Sequence, residues 1–172
     1  KDMIVGGMPQ AVEKYIQTRD FEAVDIIKRN ILNLYREDIM KHSDGNELEI
    51  EAIFDEIPAQ LSKHEKKFKL SDIKPSARMR EYKQPFYWLD DAMIVNNCYN
   101  SSEPNIGLKM NVERKTLKCY MADTGLLISH AFDENGIVSE EIYKKLLFDK
   151  LSVNSGMLMA VSYTHLTLPT NR

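Results

Sequence analysis

Apolar residues recur every three or four positions along most of the chain, and the period shortens to two only between Ile94 and Met121. Ile4 to Pro9 reads as a short apolar strand or turn closing on Gly6-Gly7, with Pro9 suited to the first turn of a helix. Ala11, Val12, Tyr15 and Ile16 then follow at helical spacing. Asp20 stands where it caps a second helix, whose Val24, Ile27, Ile31, Leu34 and Asp38 fall three or four apart. Ser43-Asp44-Gly45 breaks that helix. Asn46 with Glu49 has the form of a capping box, and Ile50, Ile53, Ile57 and Leu61 line one face beyond it. Pro58 lies within that pattern and predicts a kink or a restart.

Lys67 to Leu70 is long enough only for a small strand or an extended link. Ser71 or Ser76 opens a helix through Asp91, with Tyr82, Phe86, Leu89 and Met93 as its buried stripe and a bend at Pro85. Residues 94–99, 108–112 and 117–121 alternate like strands, joined by turns at 100–104 and 113–115. After a turn at 133–136, Ser139 caps a final helix carrying Ile142, Leu146 and Leu151. The order of helix, helix, short strand, helix and hairpin is that of a winged helix. No βαβ unit repeats, so the class is α+β, mainly helical, with a small antiparallel β hairpin.

Composition narrows the setting. At 172 residues, 43% hydrophobic and 28% charged, the chain suits one domain or two very small ones of a soluble protein. Neither an apolar run near the roughly 20 residues of a membrane span nor a charged-then-apolar leader is visible, so no membrane partner is expected. Cys98 and Cys119 lie on different strands without CxxC spacing, which fits a reducing cytoplasm better than a disulfide framework or a zinc site. His42, His64 and His130 share no metal spacing and read as surface or half-buried histidines.

The net charge of −3 argues against a protein coated by nucleic acid, yet the charge is unevenly placed. Ser62 to Lys83 holds eight bases and three acids, hence +5, directly after Glu47, Glu49, Glu51, Asp55 and Glu56. Such blocks either steer a polyanion to one face or neutralise each other on a solvated surface. Lys74, Arg78, Arg80 and Lys83 are the candidate nucleic-acid contacts, although Arg78 and Arg80 point about 200° apart on a helix. The wing from Asn105 to Lys115 is mixed in charge, and this favours protein contact over duplex DNA.

No GxxxxGK[ST] loop is present to cradle ATP phosphates, and no acidic pair follows an apolar strand to hold a metal. The chain by itself is therefore expected to have no catalytic residues, no metal and no bound cofactor. Asp90 and Asp91 are adjacent and divergent, not an acid–base pair, and Trp88 reads as core.

Three segments, IEAIFDEIPAQLSKHEKKFKLSDI, ARMREYKQPFYWLDDAMIVNNCY and LKCYMADTGLL, cover most of Leu48 to Leu127. With Gly6-Gly7-Met8-Pro9, they resemble the C-terminal half of bacterial predicted ATPases of the AAA+ superfamily, in which a P-loop ATPase domain comes first. The resemblance implies a helical lid segment at 1–45, a winged-helix-like domain at 46–130 and a linker helix at 131–160. That helix would lead to a nuclease-like core that is missing here. The tail at 161–172, VSYTHLTLPTNR, resembles a translated sequencing adapter. In the lid, Gly6 and Gly7 would let backbone approach the nucleotide and Pro9 would pack on the adenine. Tyr35 to His42 resembles the second lid helix, with Arg36 as a candidate sensor. Asp123, in a strand-Asp-x-Gly-Leu turn, reads as a turn cap. ATP and Mg belong only to the intact parent, whose P-loop domain is the expected partner in cis.

The function implied is a non-catalytic part of an ATP-binding protein, coupling nucleotide state to a protein or nucleic-acid partner. The alternatives are a DNA-binding winged-helix regulator, a nuclease remnant and a docking domain.

Overall fold

The computed structural model describes residues 2–63, 67–101, 112–133 and 136–147, without the side chains of residues 2, 114, 115 and 145–147. The chain is α+β and mainly helical, with a small antiparallel sheet. It divides into two compact units, residues 43–120 and the two flanking segments 1–42 and 121–172. Residues 121–130, grouped by the sequence with the winged-helix-like domain, thus cluster with the N-terminal helices. The tail at 161–172 and Leu151 lie outside the described residues, as does most of the strand expected at 108–112.

The discontinuous unit opens with α1 (Asp2–Val5), a helical turn where the sequence from Ile4 suggested a short apolar strand or turn. Helix α2 (Pro9–Thr18) begins with Pro9 in its first turn and ends at Arg19, left-handed with φ 55°. Helix α3 (Phe21–His42) is capped by Asp20, whose carboxylate accepts from the backbone N–H groups of Glu22 at 2.8 Å and Ala23 at 3.4 Å. From the second segment come α6 (Thr124–Ala131) and α7 (Glu140–Leu147). Ile4, Val5, Ala11, Phe21, Val24, Ile128, Val138 and Tyr143 form their shared core.

The buried face of α3 differs from the expected one. It carries Phe21, Val24, Asp25, Lys28, Leu32 and Ile39, whereas Leu34 is 57% exposed and Asp38 lies in solvent. An apolar count cannot find that face, because two of its positions are charged.

The continuous unit begins with α4 (Glu47–Ser62), which buries Ile50, Ile53, Phe54, Ile57 and Leu61 and runs through Pro58 as one helix. Its expected capping box is not formed. Asn46 makes no side-chain cap, and Glu47 in place of Glu49 turns back to accept from the Gly45 N–H at 3.0 Å. Bonds from its own backbone N–H and from that of Gly45 hold the Glu47 carboxyl below its ordinary pKa.

Phe68 follows in extended backbone and donates its N–H to the Leu117 carbonyl at 2.8 Å. A 3₁₀ turn, Leu70–Asp72, comes next. Helix α5 (Met79–Asp91) starts later than either serine predicted. Pro75 disfavours helical geometry at Lys74 just before it, and Arg78 at φ −121° and ψ 141° sets the boundary. Tyr82, Phe86 and Leu89 form its buried stripe with Pro85, but Met93 is 64% exposed. Strands β1 (Val95–Ser101) and β2 (Val112–Met121) pair as a hairpin. Glu113-Arg114-Lys115, expected as a turn, lies inside β2. Cys98 is half-buried on β1 and Cys119 buried on β2, both as free thiols.

Candidate functional site

Gly6 and Gly7 face inward on Asp123. The Gly7 N–H donates to the Asp123 carboxylate at 2.5 Å, and the same carboxylate accepts from the Leu126 N–H at 2.8 Å to cap α6. Asp123 is therefore the turn cap its motif suggested. Gly6 sits at φ +84°, and a Cβ there would overlap the Asp123 carboxylate. A Cβ on Gly125 would likewise strike the Val5 carbonyl. The three glycines thus allow α1 and α6 to meet backbone to backbone. Pro9 is exposed at the start of α2. Arg36 donates to Asp133 at 2.8 Å, an ion pair in α3's own unit. Gly6 and Gly7 are therefore brought together on one carboxylate, while Arg36 is engaged by another.

Beside them lies a polar network that the sequence did not reveal. Asp25, Lys28, Ser129 and Tyr143 are each 0% exposed. One Asp25 carboxylate oxygen accepts from the Ser129 hydroxyl at 2.6 Å and the Tyr143 hydroxyl at 2.8 Å. The other accepts from Arg29 Nε at 2.8 Å and the Val138 N–H at 2.9 Å. Burial by itself raises the pKa of Asp25, but the bonds from Ser129, Arg29, Val138 and Tyr143 outweigh it and hold the carboxyl below its ordinary value.

Lys28 Nζ donates to the Tyr143 hydroxyl at 2.7 Å and the Ile4 carbonyl at 3.2 Å, and it stands 4.8 Å from the Tyr143 ring centroid. Burial lowers its pKa to about 8, against the opposing pull of Asp25 and Asp123. Burial and the Asp25 charge push the Tyr143 phenol far up. Arg29 extends the network to Asp133 at 3.0 Å and to the carbonyls of Phe132 and Gly136. The cluster can hold charge in apolar surroundings and tie three helices together. Its atoms already serve one another, so it offers no vacant coordination. Among the described residues, no group of three or more metal-binding side chains is found.

Lys74, Arg78, Arg80 and Lys83 are all exposed on or just before α5, and none makes an ion pair with another described residue. Lys83 Nζ stands 5.7 Å from the Tyr87 ring centroid and lines a small groove with Met79, Phe86, Tyr87, Tyr99 and Leu117. His130 is buried, unlike the surface or half-buried histidine expected. His64 lies outside the described residues. No helix among the described residues is long and apolar enough to cross a membrane.

The family can now be stated. A model described as Domain of unknown function (DUF8612) matches residues 1–135, so the chain belongs to that family. Neither a curated protein nor a solved structure matches it.

Proposed function

We propose that the chain is a non-catalytic coupling module of an AAA+-type ATP-binding protein, relaying nucleotide state to a partner. The observation that carries this reading is the closure of 1–42 with 121–143 around Asp25. The perturbed charged groups there serve to bind helices together, which suits a body that transmits force better than one performing chemistry. The resemblance of Gly6-Gly7-Met8-Pro9 and of Leu48 to Leu127 to AAA+ ATPases supplies the setting. The glycines' internal role at Asp123 means that any adenine contact would fall to Pro9, exposed at the start of α2. ATP and Mg would be held by a P-loop domain in cis, and the location would be the cytoplasm.

The source reading frame tests this directly. A GxxxxGK[ST] loop encoded in frame upstream is the expected finding, with no ATP turnover by the purified chain. An initiator codon near Lys1 without a P-loop, or unaided turnover, would sink the proposal.

A second reading is favoured by Lys74, Arg78, Arg80 and Lys83, exposed bases of the continuous unit. That reading takes helix α4, Phe68, the 3₁₀ turn, α5 and the hairpin as a winged helix whose middle helix is one turn. A DNA-binding regulator of this form should lose affinity steeply with salt, by about one log–log unit per phosphate contacted.

A further inference from the structure

In the groove beside α5, apolar floor, aromatic wall and exposed positive charge coincide. Met79, Phe86 and Leu117 form its floor, Tyr87 and Tyr99 its walls, and Lys83 its lip. Arg80 stands one helical turn before Lys83, on the same side of the helix. Both cations are exposed, and neither pairs with a described carboxylate. From this combination we infer that the groove docks an acidic peptide segment of a protein partner, with one apolar side chain inserted between Tyr87 and Tyr99.

Size decides against a small-molecule ligand. The cavity is about 50 Å³, well short of the roughly 300–1,000 Å³ typical of ligand sites. It has room for the end of one side chain and not for a nucleobase. Charge order decides against a long polyanion. From Arg78 to Asp91 the sign changes from Arg78, Arg80 and Lys83, with Glu81 among them, to Asp90 and Asp91, so a phosphate backbone following the helix would be attracted at one end and repelled at the other. Lys83 also lies toward the Tyr87 ring, where a stacking base would need access. A short peptide with carboxylates toward Arg80 and Lys83 and an aliphatic anchor in the groove meets all three conditions.

This deepens the coupling-module reading by naming the chemistry of the partner. The two fail separately, because the reading frame decides the P-loop and binding decides the groove. The test is fluorescence anisotropy on the full chain with a fluorescein-labelled heptapeptide rich in Asp and Glu around a central leucine. Probes for comparison are the same peptide with glycine at its centre, a Lys-rich analogue and oligothymidylate.

Saturable binding of the acidic leucine peptide is expected. It should weaken about tenfold or more with the double variant Arg80→Glu, Lys83→Glu, and again when the leucine is removed. These positions are exposed, and an unchanged circular dichroism spectrum would show that the variant is folded. Tyr99→Ala gives a second, uncharged variant that should weaken the leucine peptide and leave the glycine peptide unaffected. Three results would overturn the inference: no binding, binding indifferent to charge reversal, or tighter Lys83-dependent binding of oligothymidylate. The last would assign the surface to nucleic acid.

Discussion

Asp25 shows how a buried charge is tolerated. Four donors surround it, so that truncation would break the bonds of Arg29, Ser129, Val138 and Tyr143 to it. Asp25→Ala should cost about 3–5 kcal/mol, the range for breaking a buried pair from one side, measured by urea denaturation. Gly6→Ala should also be destabilising, by about 1–3 kcal/mol or more, since it combines positive φ with overlap at Asp123.

Lys28 makes the pH dependence testable. Its folded pKa of about 8 lies below that of an exposed lysine, so between pH 8 and about 10 the unfolded chain binds more protons. Stability from this group must therefore rise with pH across that window, by at most about 3 kcal/mol. Tyr143 acts oppositely above about pH 10, because its raised pKa keeps the proton on the folded form. Denaturation midpoints should climb between pH 8 and 10 in the native chain and flatten in Lys28→Met.

Among the elements, some helix starts were readable from local chemistry alone. Pro9 at the start of α2 and Asp20 before α3 act locally, through their own ring or side chain, and needed no knowledge of partners, whereas Asp123, read as a turn cap, opens the helix α6 that the sequence reading lacked. The faces of α4 and α5 were also readable, because Ile50, Ile53, Ile57, Leu61, Tyr82, Phe86 and Leu89 are apolar where they are buried. The face of α3 was not, since Asp25 and Lys28 owe their burial to Ser129 and Tyr143, more than a hundred positions away. A trace was available: Lys28 lies four residues from both Val24 and Leu32. The capping box failed for a local reason: the Asn46 N–H that Glu49 would accept is already bonded to the Ser43 carbonyl at 3.1 Å.

Helix α5 ends in a Schellman motif, with Met93 N–H bonded to the Asp90 carbonyl at 3.0 Å and Ile94 N–H to the Leu89 carbonyl at 3.1 Å. Met93 holds the left-handed position at φ 57°, where glycine is normally preferred. Met93→Gly should therefore stabilise the protein, by about 1 kcal/mol in thermal melts.

For the molecule as a whole, continuity of chain separates the two units. Residues 43–120 are contiguous and carry the protein's one tryptophan, Trp88. The other unit needs two segments brought together across that span, at a loop-closure cost its partner unit does not bear. Residues 43–120 expressed alone should fold cooperatively. In the intact chain with Asp25→Ala, Trp88 fluorescence should report a later transition than far-ultraviolet circular dichroism does. Coincident transitions would show that the units melt as one.

The crossed connection through Asp25 also limits how this sequence can be cut or recombined. A truncation or gene fusion ending after the hairpin would strip the first three helices of Ser129, Val138 and Tyr143 in one step, leaving an aspartate and a lysine without the groups that cover and pair them. Changes at either end of the polypeptide should therefore be accepted only in matched sets, whereas the interior stretch is at liberty to drift on its own.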